Sequence, residues 1–265
     1  MAHTQHEKAD AFRALHEGEP FLIPNPWDAG SARILEALGF QALATTSGGF
    51  AMTLGRLDGD VTLDDVAGHV AALAEASDLP ISVDLENGYG ASPEQAARAI
   101  TAAAEAGAVG GSIEDWDRES GIYELGLATE RVAAAAEAAR ALDFGFTFTA
   151  RAENNLRRNP DLDDTIARLQ AYEEAGADVL YAPGLASGDE ISAISKATSK
   201  PQNVLAHPGL TMDEIVAAGA QRVSVGSQLA WVAAGALARA AEEIRATGEF
   251  GAFAARPPVK DWLAR

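Results

Sequence analysis

The sequence predicts an α/β protein folded as a single (β/α)8 barrel of TIM type, and three observations carry that prediction. Eight short β-rich runs alternate with Ala-rich amphipathic segments from residue 20 onward. The joints from helix to strand repeat, with Glu-Ala-Gly at 105–107 and 174–176 and Ala-Ala-Gly at 217–219, each directly before a strand. Acidic residues follow several different strands, as they do at the C-terminal mouth of a barrel. No G-x-G-x-x-G follows the first strand, which argues against a doubly wound open sheet. A length of 265 residues suits one barrel domain spanning 1–265.

Strands are expected at 21–24, 42–46, 81–86, 110–114, 146–152, 179–182, 202–205 and 222–225. Helices are expected at 29–38, 63–77, 93–106, 129–142, 161–175, 188–198 and 212–218, with a final one at 229–247. Ser92-Pro93-Glu94-Gln95 offers an N-cap, a Pro at the first helical position and a capping box. Gly39, Gly107, Gly176 and Gly219 fall where helix C-caps belong. The stretch from Met1 to Glu19 is polar and mixed in charge and receives no element. Pro257 and Pro258 block continuation of the last helix, and Trp262 suggests that the tail docks on something, such as a neighbouring subunit.

Composition narrows the function. A net charge of −19 opposes nucleic-acid binding, because it would press like charges against phosphates. The absence of cysteine removes disulfides, thiolate metal sites and cysteine nucleophiles together. No signal-peptide core and no 18-residue apolar run is present, so a cytoplasmic protein without a membrane partner is expected.

The residues after the strands form a set: Asn25 to Asp28, Thr46 to Gly49, Asp84 and Glu86, Glu114 and Asp115, Arg151 and Glu153, then Asn203 and His207. Side chains alternate along a strand, so Asp84 and Glu86 are expected on one face at its end. Two acids there call for a cation, and oxygen ligands without His or Cys suit Mg²⁺ or Mn²⁺ better than zinc. Asp28, and Asp115 in part, read instead as helix N-caps. Thr46-Ser47-Gly48-Gly49 reads either as a tight turn or as a place where backbone N–H groups meet an anion. Arg151 either neutralises Glu153 or holds a substrate carboxylate with its planar fork. His207 reads as a surface or packing residue.

Six segments taken in order carry a resemblance: Asn25-Pro-Trp-Asp-Ala-Gly-Ser-Ala32, Thr46-Ser-Gly-Gly49, Leu54-Gly-Arg-Leu-Asp58, Val83-Asp-Leu-Glu-Asn-Gly-Tyr-Gly90, Ser112-Ile-Glu-Asp115 and Ala150-Arg-Ala-Glu153. The chain resembles the isocitrate lyase / phosphoenolpyruvate mutase superfamily from about residue 20 to 230. That resemblance implies a barrel whose C-terminal part, about 229–265, is exchanged with or docked on a partner in a homodimer or homotetramer. It implies Mg²⁺ chelated by a small 2-oxo acid, with Asp84 as direct metal ligand, Glu86 and Glu114 holding metal waters, and Asp58 near the metal. Ser47 with the N–H groups of Gly48 and Gly49 would bind the substrate carboxylate, Arg151 its other side, and Trp27 would line the pocket. Asn203 joins this substrate-facing set.

The loop after the fourth strand, 115–126, departs from the lyase pattern: it lacks the Lys-Arg/Lys-Cys-Gly-His signature whose Cys protonates the departing carbanion. It also lacks the Lys and Asn-Ser or Thr of phosphonate-processing members. Isocitrate and methylisocitrate cleavage are therefore not expected, and Tyr123 becomes the candidate replacement acid. The implied activity is metal-stabilised enolate chemistry on a 2-oxo or 2-hydroxy carboxylate, foremost C–C cleavage such as oxaloacetate decarboxylation or hydrolysis. P–C bond chemistry on phosphonopyruvate and 2-oxo acid binding without turnover are the alternatives.

Overall fold

A computed structural model describes residues 3–264. The chain opens with α1 (Gln5–Glu17), β1 (Phe21–Ile23), α2 (Ala29–Ala37), β2 (Leu43–Ala44), α3 (Ser47–Thr53), α4 (Leu63–Ala76) and β3 (Ile81–Asp84). It continues through α5 (Pro93–Glu105), β4 (Gly110–Glu114), the hairpin β5 (Trp116–Asp117) and β6 (Gly121–Ile122), α6 (Leu125–Arg140), β7 (Thr147–Arg151) and α7 (Leu162–Glu174). Last come β8 (Val179–Tyr181), α8 (Gly188–Ala197), β9 (Gln202–Leu205), α9 (Met212–Ala217), β10 (Arg222–Ser224), α10 (Gln228–Thr247), a 3-10 turn (Gly251–Ala254) and α11 (Val259–Leu263).

Eight strands pair in parallel in the order β2, β3, β4, β7, β8, β9, β10, β1. The Ala44 N–H donates to the Pro24 carbonyl at 3.0 Å and joins the two ends, so the sheet closes as the expected barrel. Helices α4 to α7 bury Ala-rich faces on it: Ala96, Ala99, Ile100 and Ala103 of α5 meet Val132, Ala135 and Ala136 of α6 within one core. Small side chains allow that close packing of helix on helix. Among the described residues no helix is long and apolar enough to cross a membrane.

Five local features depart from the sequence expectation. The N-terminal stretch folds as α1, started by a capping box in which Thr4 and Glu7 satisfy each other's backbone N–H groups. Its Phe12 is fully buried and plugs the barrel floor, where a Cβ on Gly110 would sit 2.7 Å from the Phe12 ring. Thr46 to Gly49 is neither a turn nor a loop but the start of α3. Helix α6 begins at Leu125, four residues before the expected start, and β3 ends at Asp84. In the tail, α11 packs on α2 of the same chain.

His16, on α1, ties this plug to the barrel. Its Nδ1 lies 2.8 Å from the Phe12 carbonyl, and its Nε2 accepts from Arg222 Nη1 at 3.2 Å. Nε2 can accept only in the neutral ring, so Nδ1 carries the hydrogen. Burial, helped by the charge of Arg222, pushes His16 down to about 3 from its ordinary 6.5. The unfolded chain therefore binds a proton that the native state refuses. The His16 contribution is fully present above pH 6.5 and is lost as pH falls toward 3. Between pH 6.5 and 5 the loss amounts to about 2 kcal/mol. H16Q is expected to flatten this limb, so that urea unfolding at pH 7 and pH 5 brings variant and wild type closer at the lower pH. Parallel stability profiles would refute the assignment.

Candidate active site

The segments at the ends of β3, β4 and β7 deliver four carboxylates, Asp84, Glu86, Glu114 and Glu153, and two guanidinium groups, Arg151 and Arg157, to one mouth, and backbone geometry sets who reaches whom. Asp84, the last residue of β3, is held from three sides. Its Oδ1 accepts from Arg151 Nη1 at 2.9 Å and from the Glu86 N–H at 3.2 Å, and its Oδ2 accepts from the Ser47 N–H at 3.2 Å. Ser47 is the first residue of α3, where N–H groups have no partner within the helix. The first intrahelical bond is Phe50 N–H to the Thr46 carbonyl, which leaves the N–H groups of Gly48 and Gly49 ahead of it.

Glu86 reaches the site by a turn rather than by strand alternation. Its φ is +48°, a left-handed conformation costly for a non-glycine residue, and its carbonyl accepts from the Glu114 N–H at 2.8 Å. The expectation that period 2 aligns Asp84 with Glu86 is thus corrected: the strand has ended, and a left-handed kink aims Glu86. Its buried Oε1 has no hydrogen-bond partner. Burial, with Asp84 and Asp58 nearby, pushes its carboxyl up to about 8.

Arg151, at the end of β7, sits at the centre. Its Nε and Nη2 donate to Glu153 Oε1 at 3.0 and 2.8 Å, Nη2 also lies 2.9 Å from Glu114 Oε2, and Nη1 holds Asp84. Burial opposes the guanidinium charge, but Glu153, Glu114 and Asp84 outweigh it and hold Arg151 firmly protonated. Burial and Glu153 push Glu114 well above the usual carboxylate range; burial raises Glu153 despite Arg151 and Arg157. Arg157 pairs with Glu114 Oε1 at 3.1 Å while its guanidinium lies 3.4 Å from the Trp116 ring centre. Sequence reading missed Arg157; its position six residues after Arg151 in an irregular segment gives no periodic signal.

Two cavities open from this cluster and share Ser47, Asp58, Arg151 and Leu156. The outer one, about 780 Å³, is lined by Glu86, Asn87, Tyr89, Glu114, Asp117 and Arg157 among others. The inner one, about 240 Å³, descends along β1, β2, β9 and β10 past Asp84, Tyr181, Asn203 and Arg222. Gly48 and Gly49 are small because they must be: a Cβ on Gly48 would meet Ser227 Oγ at 2.9 Å, and one on Gly49 would meet Thr46 Cγ2 at 2.7 Å. Beside this geometry stands a sequence match over most of the chain, and it decides the kinship.

The chain belongs to the phosphoenolpyruvate phosphomutase family. The match to that family covers residues 12–245, within the isocitrate lyase / phosphoenolpyruvate mutase superfamily. An oxaloacetate decarboxylase of Bradyrhizobium sp. is 31% identical over 237 residues, covering 85% of this chain and 80% of that protein. A 2-methylisocitrate lyase of Escherichia coli is 33% identical over 187 residues, 66% of this chain and 62% of that protein. A Burkholderia cenocepacia structure described provisionally as a lyase/mutase superposes with a TM-score of 0.95 at 51% identity, covering 98% of this chain and 97% of the other. A phosphonopyruvate hydrolase bound to oxalate and Mg²⁺ superposes with a TM-score of 0.85 at 25% identity, covering 96% and 93%.

Within this family member, Ser47, Asp58, Asp84, Glu86, Glu114, Arg151 and Asn203 all line the two cavities, and Gly48 and Gly49 form the helix start beside them. Three expectations are corrected. Trp27 does not line either cavity; it lies under Gly49, while Trp231 of α10 lines the inner one. Tyr123 lies outside both cavities: its ring sits beneath Arg131 at 4.6 Å and its hydroxyl accepts from Asn87 Nδ2 at 3.0 Å. Arg151 is not a free fork for a carboxylate, being occupied by three acids of its own chain. Asp28 is the N-cap of α2 as expected, whereas Asp115 caps nothing and is buried against Tyr172 and Arg168 of α7. His207 is exposed, its Nδ1 accepting from the Gly209 N–H.

Proposed function

We propose that the chain is a divalent-metal-dependent lyase that breaks the C–C bond at C3 of a small 2-oxo or 2-hydroxy carboxylate, with oxaloacetate decarboxylation or hydrolysis as the leading reaction. The observation that carries the metal in this reading is the buried, unpartnered Oε1 of Glu86, a residue that lines the outer cavity with Asp58 and Glu114 and has the Asp84 charge nearby. A buried acceptor without a donor asks for a cation or for water held by one. The all-oxygen donor set fits Mg²⁺ or Mn²⁺. Among the described residues no three acidic or imidazole side chains form a ready-made ligand cluster. Mg²⁺ suits such a site, because it keeps several waters and takes one or two carboxylates.

Asp84 would contact the ion, with Glu86 and Glu114 orienting its waters. A bound divalent cation supplies electrostatic stabilisation of the charge that C3 cleavage leaves on the 2-oxo acid. The chain's own groups do the rest. The N–H groups of Gly48 and Gly49 present donors to a carboxylate, and Arg151 fixes the positions of Asp84 and Glu114. Tyr123 is absent from the lining of both cavities, and its hydroxyl reaches the outer one only through Asn87, so another group or water is the nearer source of the proton that ends the reaction. The curated relatives named above, a decarboxylase and a methylisocitrate lyase, support C–C cleavage, while the family's own name and the phosphonopyruvate hydrolase keep P–C cleavage as the alternative.

The test is incubation with oxaloacetate, phosphonopyruvate, methylisocitrate and isocitrate, with Mg²⁺ or with EDTA, following pyruvate, oxalate, glyoxylate, succinate and phosphate. EDTA-sensitive pyruvate or oxalate from oxaloacetate is the expected result. EDTA-sensitive phosphate from phosphonopyruvate would move the chemistry to the P–C bond, and binding without product would make the chain a 2-oxo acid binder.

We also propose that a second copy of the chain covers α10, which exposes Val232 at 65% and Leu237 at 73%. Exposed apolar side chains on one helix mark an interaction face. Light scattering should find a dimer or tetramer in the wild type and a monomer in V232E/L237E; a monomeric wild type would end this proposal.

A further inference from the structure

The barrel holds a second buried arginine, and its surroundings differ in kind from those of Arg151. Arg222, at the start of β10, is 4% exposed. Its Nε donates to Asn203 Oδ1 at 2.8 Å, its Nη2 to Thr149 Oγ1 at 3.1 Å and its Nη1 to His16 Nε2 at 3.2 Å. All three acceptors are neutral. Among the described residues no carboxylate forms an ion pair with Arg222, and two of its five N–H groups are left without an acceptor. Isolated charge in a protein interior is costly, so buried guanidinium groups are normally paired.

Arg222 is also not walled off. It lines the inner cavity, whose other charged lining residues are Asp58, Asp84 and Arg151. The rest of the lining is uncharged, with Tyr181, Asn203 and Ser224 as polar groups and Ile23, Ala44 and Leu205 among the apolar ones. The Tyr181 ring centre lies 5.3 Å from the Arg151 guanidinium, and Asn203 Nδ2 donates to Ser224 Oγ at 3.0 Å. The cavity that reaches Asp84 thus also reaches a guanidinium that, among the described residues, no carboxylate pairs.

We propose that the inner cavity is a subsite for a second carboxylate of the substrate, with Arg222 as its cation, so that the site prefers 2-oxo dicarboxylates to 2-oxo monocarboxylates. This deepens the 2-oxo acid reading and rests on it. The carboxylate would accept from the two N–H groups that Arg222 does not spend on the barrel. Asn203 and Thr149 hold the guanidinium in place, which limits the ordering cost of binding.

The probes are 2-oxobutyrate and oxaloacetate, four-carbon 2-oxo acids that differ by one carboxylate, with dissociation constants read from stopped-flow tryptophan fluorescence in Mg²⁺. R222M is expected to weaken oxaloacetate by about 10- to 100-fold, the range for a hydrogen bond to a charged group, and to leave 2-oxobutyrate within about twofold. R222K, which keeps the charge with fewer donors, should fall between. R222M leaves the Asn203, Thr149 and His16 acceptors without a donor, so R222K, which keeps charge and donors, is the control for folding, and both variants are assayed below their melting temperatures. Equal weakening of both acids, or of neither, would overturn the subsite. So would chloride raising the melting temperature of wild type and not of R222M without discrimination between the acids, because Arg222 would then hold a free inorganic anion. If neither acid binds wild type with Mg²⁺, the 2-oxo acid reading itself fails and takes the subsite with it; lost discrimination alone removes only the subsite.

Discussion

D84N is expected to lower kcat/KM for the cleaved 2-oxo acid by about a thousandfold, or roughly 4 kcal/mol of transition-state stabilisation. The substitution is nearly isosteric, but Ser47 and Glu86 donate to different oxygens of Asp84, so the single oxygen of Asn keeps only one of these two bonds. What also disappears is the charge that would hold the cation and face Arg151. Calorimetric Mg²⁺ affinity should fall together with turnover, which separates loss of metal from loss of fold. Activity within tenfold of wild type, with unchanged Mg²⁺ affinity, would place the metal elsewhere.

R151M is expected to cost about 3–5 kcal/mol of folding stability, the usual penalty for stripping the partner from a buried charge network. The cost arises because Asp84, Glu114 and Glu153 stay behind; Glu114 and Glu153 are 7% and 0% exposed as side chains, and Arg157 reaches them only from the edge. R151K should recover part of this, since an ammonium keeps the charge but not the fork that meets three acids at once. Chemical denaturation at pH 7 measures both variants. If R151M unfolds within about 1 kcal/mol of wild type, the acids are not held by this arginine.

The barrel was legible because its signals are periodic. Eight strand runs, repeated Ala-Gly joints and capping patterns such as Ser92-Pro-Glu-Gln95 each report a local preference, and local preferences added up to the right topology. The site was legible where a residue type and its distance from a strand end sufficed, as for Asp84, Glu114 and Arg151. It was not legible where a backbone irregularity aims the side chain. Glu86 enters through a left-handed residue, and no strand pattern encodes that. Arg157 arrives from an irregular loop, while the exclusion of Trp27 depends on α3 folding across it. The Thr4-x-x-Glu7 capping box did announce α1, but the polar surface of that segment obscured it. Arg222 reads in sequence as an ordinary charged residue opening a strand; only burial beside neutral partners sets it apart.

The barrel seam has a consequence for motion. Seven neighbouring strand pairs carry ladders of two to five paired residues, while β1 and β2 meet through the backbone bond from Ala44 to Pro24 and the bond from Asn25 Nδ2 to the Thr45 carbonyl at 3.0 Å. Local opening takes the route that breaks fewest bonds, so the sheet parts most readily along this line. Ile23, Asn25, Ala44 and Thr45, which flank it, also form one wall of the inner cavity. The seam with the fewest backbone bonds is therefore a side of the binding chamber, and transient parting there would let water and small anions into the barrel interior without disturbing the acid cluster at its mouth.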